Sequence, residues 1–207
     1  MADSDSMLPC DAGALLQRYD PDSRLDSYYD ALMVENEKVN LVSRETNRES
    51  FDRMVVECLL PLDSLCDTST SKLPLFENYL DIGSGGGLPL VPLLLSKVIR
   101  HATAVERTIK KATALGNILN RLKLNARVIS RTFEETKLAT QFELVTMRYI
   151  KLTPALLSLI MKSLSEEGKF IYYSEPDFKP SDAHVVTHQF SHLSGSPVKH
   201  FSIISHK

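Results

Sequence analysis

Nine consecutive residues, Asp81-Ile82-Gly83-Ser84-Gly85-Gly86-Gly87-Leu88-Pro89, form the run with the clearest capacity for chemistry. Glycines at alternate positions (Gly83, Gly85, Gly87) let a backbone turn sharply and approach a ligand closely. The run fails as a phosphate loop because no Lys-Ser/Thr pair follows the glycines. It fails as a dinucleotide fingerprint because Leu88 stands where the third glycine would be. Some 20 residues on, Glu106 ends a second apolar stretch, where an acidic side chain can accept both hydroxyls of a ribose. Phe133-Glu134 follows a third stretch and offers an apolar ring beside a polar edge, suited to adenine.

The pattern Asp-x-Gly-x-Gly-x-Gly is similar to the first motif of S-adenosylmethionine (AdoMet) methyltransferases. There the loop cradles an uncharged thioether and amino acid, so no phosphate-binding lysine is required. Taken singly, each signal has an ordinary reading, since an acidic residue at a strand end is commonly a cap or surface charge. In order, they make Asp81, Gly83, Gly85, Gly87, Leu88, Glu106, Phe133 and Glu134 candidate AdoMet-binding residues.

The elements that must hold these residues follow from periodicity. Apolar spacings of three and four predict helix over 12–41 and again over 49–65, where Pro61 should kink or end it. Residues 67–74 read as a loop and as the boundary between a helical extension (1–74) and a cofactor-binding domain (75–207). Beyond it, strands at 78–82, 102–106, 126–130, 142–147 and 169–174 alternate with helices at 88–98, 109–124 and 154–164. That alternation predicts an α/β, Rossmann-like fold with a mostly parallel sheet. Two further β-like stretches, 185–193 and 198–205, flank Ser194-Gly195-Ser196-Pro197 and predict a hairpin added antiparallel at the sheet edge, seven strands in all.

Composition narrows the function. Of 207 residues, 43% are apolar and 24% charged, a soluble globular balance. No run approaches the roughly 18 apolar residues of a spanning helix. Three cysteines without a CxxC pair argue against a disulfide framework and a thiolate zinc site. The acidic first residues lack the basic and apolar regions of a secretory signal, so a cytoplasmic location is expected. Residues 1–96 hold seven Lys/Arg against 17 Asp/Glu, whereas residues 97–151 hold 12 against four. The basic middle either faces a polyanion or pairs with the acidic first half.

Beyond the cofactor motif, the chain from about Ala14 onward resembles the bacterial small-subunit rRNA guanine-N7 methyltransferases (the RsmG or GidB family). The resemblance rests on Asn36 to Ser43, on the Leu88-Pro89 ending of the loop and on Glu106 with Lys110-Lys111. It continues through Leu122-Lys123-Leu124-Asn125, Phe133-Glu134-Glu135, Val145-Thr146-Met147-Arg148 and Lys199 to Ile204. It implies a class I AdoMet-dependent methyltransferase acting on N7 of a guanine in the 530-loop region of 16S rRNA. The implied partner is 16S rRNA or an assembling small subunit, with no membrane, no metal and a monomeric enzyme. Arg107, Lys110, Lys111, Lys123 and Lys151 are the implied RNA contacts. Glu57-Cys58-Leu59-Leu60-Pro61-Leu62 replaces the family's Arg-His-Ile/Leu-x-Asp-Ser, Tyr149 replaces a small residue, and Tyr173-Ser174-Glu175 replaces Leu-Lys-Gly. Those departures keep two alternatives open: a non-catalytic relic that binds AdoMet or RNA, and a small-molecule methyltransferase.

Guanine N7 already carries a lone pair, so its methylation needs alignment rather than a general base. An amino-group enzyme would carry Asn/Asp-Pro-Pro-Tyr/Phe where this chain has Met147-Arg148-Tyr149-Ile150, and all three cysteines lie upstream of the glycine loop. Arg148, expected at a strand end beside the crevice, can hold the AdoMet carboxylate or a target phosphate. The plain alternative pairs it with Glu134 or Glu106. His184, His188 and His192 recur every four residues, but a strand is favoured there over a metal site. Tyr28, Tyr29, Phe51 and Met54 can stack on RNA, although their helical spacing favours core packing.

Overall fold

Tyr79, Leu80, Asp81 and Ile82 are all buried, as expected of a strand covered on both faces. The computed structural model, which describes residues 7–66, 73–192 and 196–207, places that strand, β1 (Phe76–Ile82), within the sheet. Three helices precede it: α1 (Ala12–Tyr19), α2 (Leu25–Asn36) and α3 (Arg48–Ser64). After it come α4 (Leu90–Leu95), β2 (Ile99–Val105), α5 (Ile109–Leu122), β3 (Arg127–Ile129) and β4 (Phe142–Met147). The chain ends with α6 (Pro154–Ser163), β5 (Leu164–Tyr172), β6 (Ala183–Phe190) and β7 (Lys199–His206). Strand order is β3-β2-β1-β4-β5-β7-β6. The first five are parallel to one another, and β7 is antiparallel to both β5 and β6. The fold class is therefore the expected one.

Several boundaries differ from expectation for local reasons. The helix read over 12–41 is two helices, because Pro21 interrupts it and both carboxylate oxygens of Asp20 accept from Arg24 N and Leu25 N at 2.8 and 3.0 Å. Helix 88–98 contracts to α4, since Lys97 takes a left-handed φ of 61°. Pro61 is accommodated in the last turn of α3, which ends three residues later. Residues 67–72 of the expected boundary loop, and Ser194 and Gly195 of the expected hairpin turn, lie outside the described residues.

Apolar packing falls into two clusters. One joins α1, α2 and α3 to α4, α5 and one face of β1 and β2. The other joins α6 to the opposite face of β1, β4 and β5. Tyr28 and Phe51 are fully buried in the first, edge to face at 5.3 Å, so their helical spacing marks core packing. The helical segment is thus tied to the sheet, and its Tyr28 hydroxyl donates to the Gly86 carbonyl of the glycine loop at 3.0 Å.

Candidate active site

β2 and β3 extend from one side of β1 and β4 and β5 from the other, which opens a crevice beyond the carboxyl ends of β1 and β4. A cavity of about 830 Å³ occupies it. Its wall includes Gly83, Gly85, Leu88, Glu106, Phe133, Glu134 and Arg148, with Arg107, Lys111 and Lys151 among the basic residues. The helical segment closes it with Leu41, Val42, Ser43 and Thr46, none of which was read as a site residue, and with Met54, which was weighed only as an RNA-stacking or core residue. The signal for them was the Asn36 to Ser43 segment: the Asn36 side chain accepts from Leu41 N at 2.8 Å and Val42 N at 3.0 Å, turning the chain over the loop.

Not every candidate lines the cavity. Asp81 and Gly87 lie behind its wall, and Lys110 is exposed outside it. Lys123 caps the far end of α5, about 21 Å from the helix start at 1.5 Å per residue. Its φ of 53° gives it a local role in ending the helix.

The glycine loop is shaped by packing as much as by ligand access. Gly83 has φ +76°, and a Cβ there would meet Ile150 Cδ1 at 2.3 Å across the crevice. Gly87 has φ +96°, and its Cβ would lie 2.6 Å from Val91 Cγ2, so this glycine serves the loop-to-helix junction. Glu106 braces the loop: Oε2 accepts from Gly85 N at 3.0 Å and Oε1 from Thr108 N at 2.8 Å. A carboxylate has about four acceptor positions, so each oxygen retains capacity for a hydroxyl donor.

Below the loop, Thr146 donates to Asp81 Oδ1 at 2.6 Å. That commits its only proton, so the Tyr79 hydroxyl at 2.7 Å must donate to Thr146. Among the described residues, the buried Asp81 Oδ2 has no hydrogen-bond partner, and burial pushes the carboxyl up to about 6.

Arg148 sits in the wall, but its partner is neither Glu134 nor Glu106. Nη2 donates to Glu57 Oε2 at 2.6 Å, with both side chains under 10% exposed. Glu57 also receives His192 Nε2 at 3.0 Å and Lys199 Nζ, so helix α3 and the C-terminal hairpin meet on one carboxylate. Burial opposes the charge on Glu57, but Arg148, Lys199 and His192 together hold the carboxyl below its ordinary range. The segment Glu57 to Leu62, where the chain departs from the family pattern, thus supplies a carboxylate that anchors the arginine. Burial drives the neighbouring Cys58 thiol up to about 12, which leaves it without nucleophilic character.

The basic middle segment divides between the two expected readings. Lys97 pairs with Asp22, Arg100 with Glu77 and Arg148 with Glu57, all three partners in the acidic first half, whereas Lys151 pairs with Asp177 outside it. Among the described residues, Arg107, Lys110, Lys111 and Arg131 have no ion-pair partner, and three of them line the cavity. Of the histidine series, His184 and His188 lie on β6, where His188 stacks on Phe201, and His192 faces Glu57.

The family described as rRNA small subunit methyltransferase G matches residues 22–201. The chain belongs to this family. A relative named ribosomal RNA small subunit methyltransferase G, from Helicobacter pylori strain J99, is 27% identical over 165 residues, covering 79% of this chain and 88% of its own. A solved O-methyltransferase from Bacillus cereus in complex with SAH shares the fold with a TM-score of 0.62 at 14% identity, covering 95% of this chain and all of its own. A cofactor-bound protein from MTB does so at 0.63 and 16%, covering 91% and 96%. The fold is that of AdoMet-dependent methyltransferases, and family membership makes the chain an rRNA methyltransferase by kinship.

Proposed function

We propose that this protein transfers the methyl group of AdoMet to N7 of a guanine in the 530-loop region of small-subunit 16S rRNA. The observation that carries the reading is a cavity at the sheet's switch point that joins a glycine loop and an acidic strand end to unpaired cations on its rim. AdoMet suits this cavity in volume and in donor chemistry. Glu106 keeps free acceptor positions, Phe133 offers an apolar ring, and the loop presents backbone rather than lysine. In this reading Gly83, Gly85 and Leu88 hold the amino acid end, Glu106 the ribose, and Phe133 with Glu134 the adenine. Asp81 and Gly87 act from behind by fixing the loop.

Bound AdoMet supplies an electrophilic methyl on a sulfonium. The chain itself contributes alignment, which is worth about 7–11 kcal/mol when reacting atoms are held in line. Leu41 to Ser43 and Met54 exclude water, and Arg148, fixed by Glu57, sets the wall between cofactor and target. Guanine N7 asks for no general base, because its lone pair is already available. Arg107, Lys110, Lys111 and Lys151 take RNA phosphates near the mouth, and Lys123 takes one only if the RNA reaches along α5. In this picture residues 1–74 form a helical extension that roofs the cofactor-binding domain at 75–207, and the enzyme works as a cytoplasmic monomer. The test is incorporation of labelled methyl into purified small subunits, followed by nucleoside analysis. Label in 7-methylguanosine is the expected result. Label in N6-methyladenosine, or none with AdoMet bound, contradicts the proposal.

A further inference from the structure

Tyr149 is 82% exposed, the highest value among the large apolar side chains that are exposed in the described residues. Its backbone has φ +60°, a conformation that bulky residues avoid and that persists only when surroundings impose it. The surroundings here are Arg148. The guanidinium lies 4.5 Å from the Tyr149 ring centroid, and Nη2 donates to the Tyr149 hydroxyl at 2.8 Å. Arg148 is in turn fixed by the buried Glu57, which His192 and Lys199 also hold. An exposed aromatic ring is therefore held in place from behind by a buried ionic assembly.

The ring stands at a boundary. A second cavity, of about 490 Å³, opens beside the first beyond the ends of β4 and β5. Both cavities include Tyr149, Ile150 and Lys151 in their walls, and Tyr172 and Tyr173 line the second one. A base inside a stacked RNA helix presents its reactive atoms in a deep, narrow groove that side chains do not enter, so it must leave the stack to react. Unstacked bases recover the lost interaction on aromatic faces.

We propose that Tyr149 is a preset platform on which a base of single-stranded RNA stacks as it enters the second cavity. This role rests on the reading of the substrate as rRNA. Tyr149 is also one of the positions where the chain departs from the family pattern that it otherwise resembles.

The chain contains no tryptophan, so Tyr149→Trp provides a single fluorescent reporter at this site. The full-length variant, saturated with S-adenosylhomocysteine, is titrated with a short single-stranded guanine-containing oligoribonucleotide. Saturable quenching of the tryptophan is expected. Tyr149→Asn removes the ring while keeping a residue that tolerates positive φ, so the fold is preserved. It should weaken oligonucleotide affinity about 5- to 140-fold at saturating S-adenosylhomocysteine, the range spanned by loss of one base–aromatic stack. No quenching, together with parent-like RNA affinity in Tyr149→Asn, overturns the platform. Quenching by the oligonucleotide, in a protein whose parent methylates neither the oligonucleotide nor purified small subunits, supports the platform and sinks the methyltransferase reading instead.

Discussion

Arg148→Ala should destabilise the protein severely, because it strands the buried carboxylate of Glu57. Arg148 is 4% and Glu57 8% exposed at the side chain, and 2.6 Å separates their bonded atoms. Removing one partner of such a pair costs about 3–5 kcal/mol, since the remaining charge stays desolvated. His192 and Lys199 still face Glu57, which puts the cost near the lower end, about 3 kcal/mol. Against a total stability of about 5–15 kcal/mol this is a large fraction. With a urea slope of about 2–3 kcal/mol/M, the unfolding midpoint should fall by about 1–1.5 M. Glu57→Gln should also destabilise, but the double variant should be more stable than the sum of the two changes allows, by at least about 1.5 kcal/mol. Arg148→Lys should recover part of the loss, since a point charge cannot serve Glu57 and Tyr149 at once as the planar fork does. The assay is urea unfolding followed by circular dichroism for the parent and all four variants. A cost below about 1 kcal/mol for Arg148→Ala, or strict additivity, refutes the anchoring of Arg148 by Glu57.

Asp81 carries a second electrostatic test. Its folded value of about 6 exceeds the unfolded value, so stability from this group is present below about pH 4 and lost as pH rises through about 6. Asp81→Asn should therefore match the parent near pH 4 and exceed it by about 2–3 kcal/mol at pH 8 in urea unfolding; a difference independent of pH contradicts this. Gly83→Val should lower AdoMet affinity at least about tenfold by calorimetry, because a branched residue at φ +76° must push against Ile150 and reshape the loop; unchanged affinity in a folded variant removes the loop from the site. Charge reversal at Lys110 and Lys111 should weaken rRNA binding and flatten its salt slope by about 1.4–1.8, with AdoMet binding intact. An unaltered slope would place the RNA face elsewhere.

The elements most legible in the sequence were those whose local pattern agreed with their environment. Strand β4 and helix α5 begin where the pattern put them, because a buried apolar strand and a strongly one-sided helix leave little ambiguity. The opening of β5 was missed: Ser165, Glu166 and Glu167 read as loop, yet backbone pairing with β4 carries the strand back to Leu164 through a register shift. The glycine loop, Glu106 and Phe133 were legible because their spacing along the chain reflects successive strand ends of a parallel sheet. Glu57 was illegible for the opposite reason. Its partners Arg148, His192 and Lys199 lie 91, 135 and 142 residues away, so no local spacing records the contact. The roof formed by Leu41 to Thr46 likewise depends on how α2 and α3 dock, which periodicity does not specify.

The proposed target of this chain is guanine N7 of small-subunit rRNA. Mass spectrometric mapping of modified nucleosides in 16S rRNA, from cells with and without the gene for this protein, tests it most directly. A single 7-methylguanosine in the 530-loop region should disappear with the protein and return with the parent sequence but not with Gly83→Val. An identical modification map in both strains, or loss of a methyl group from another atom or base, would contradict it.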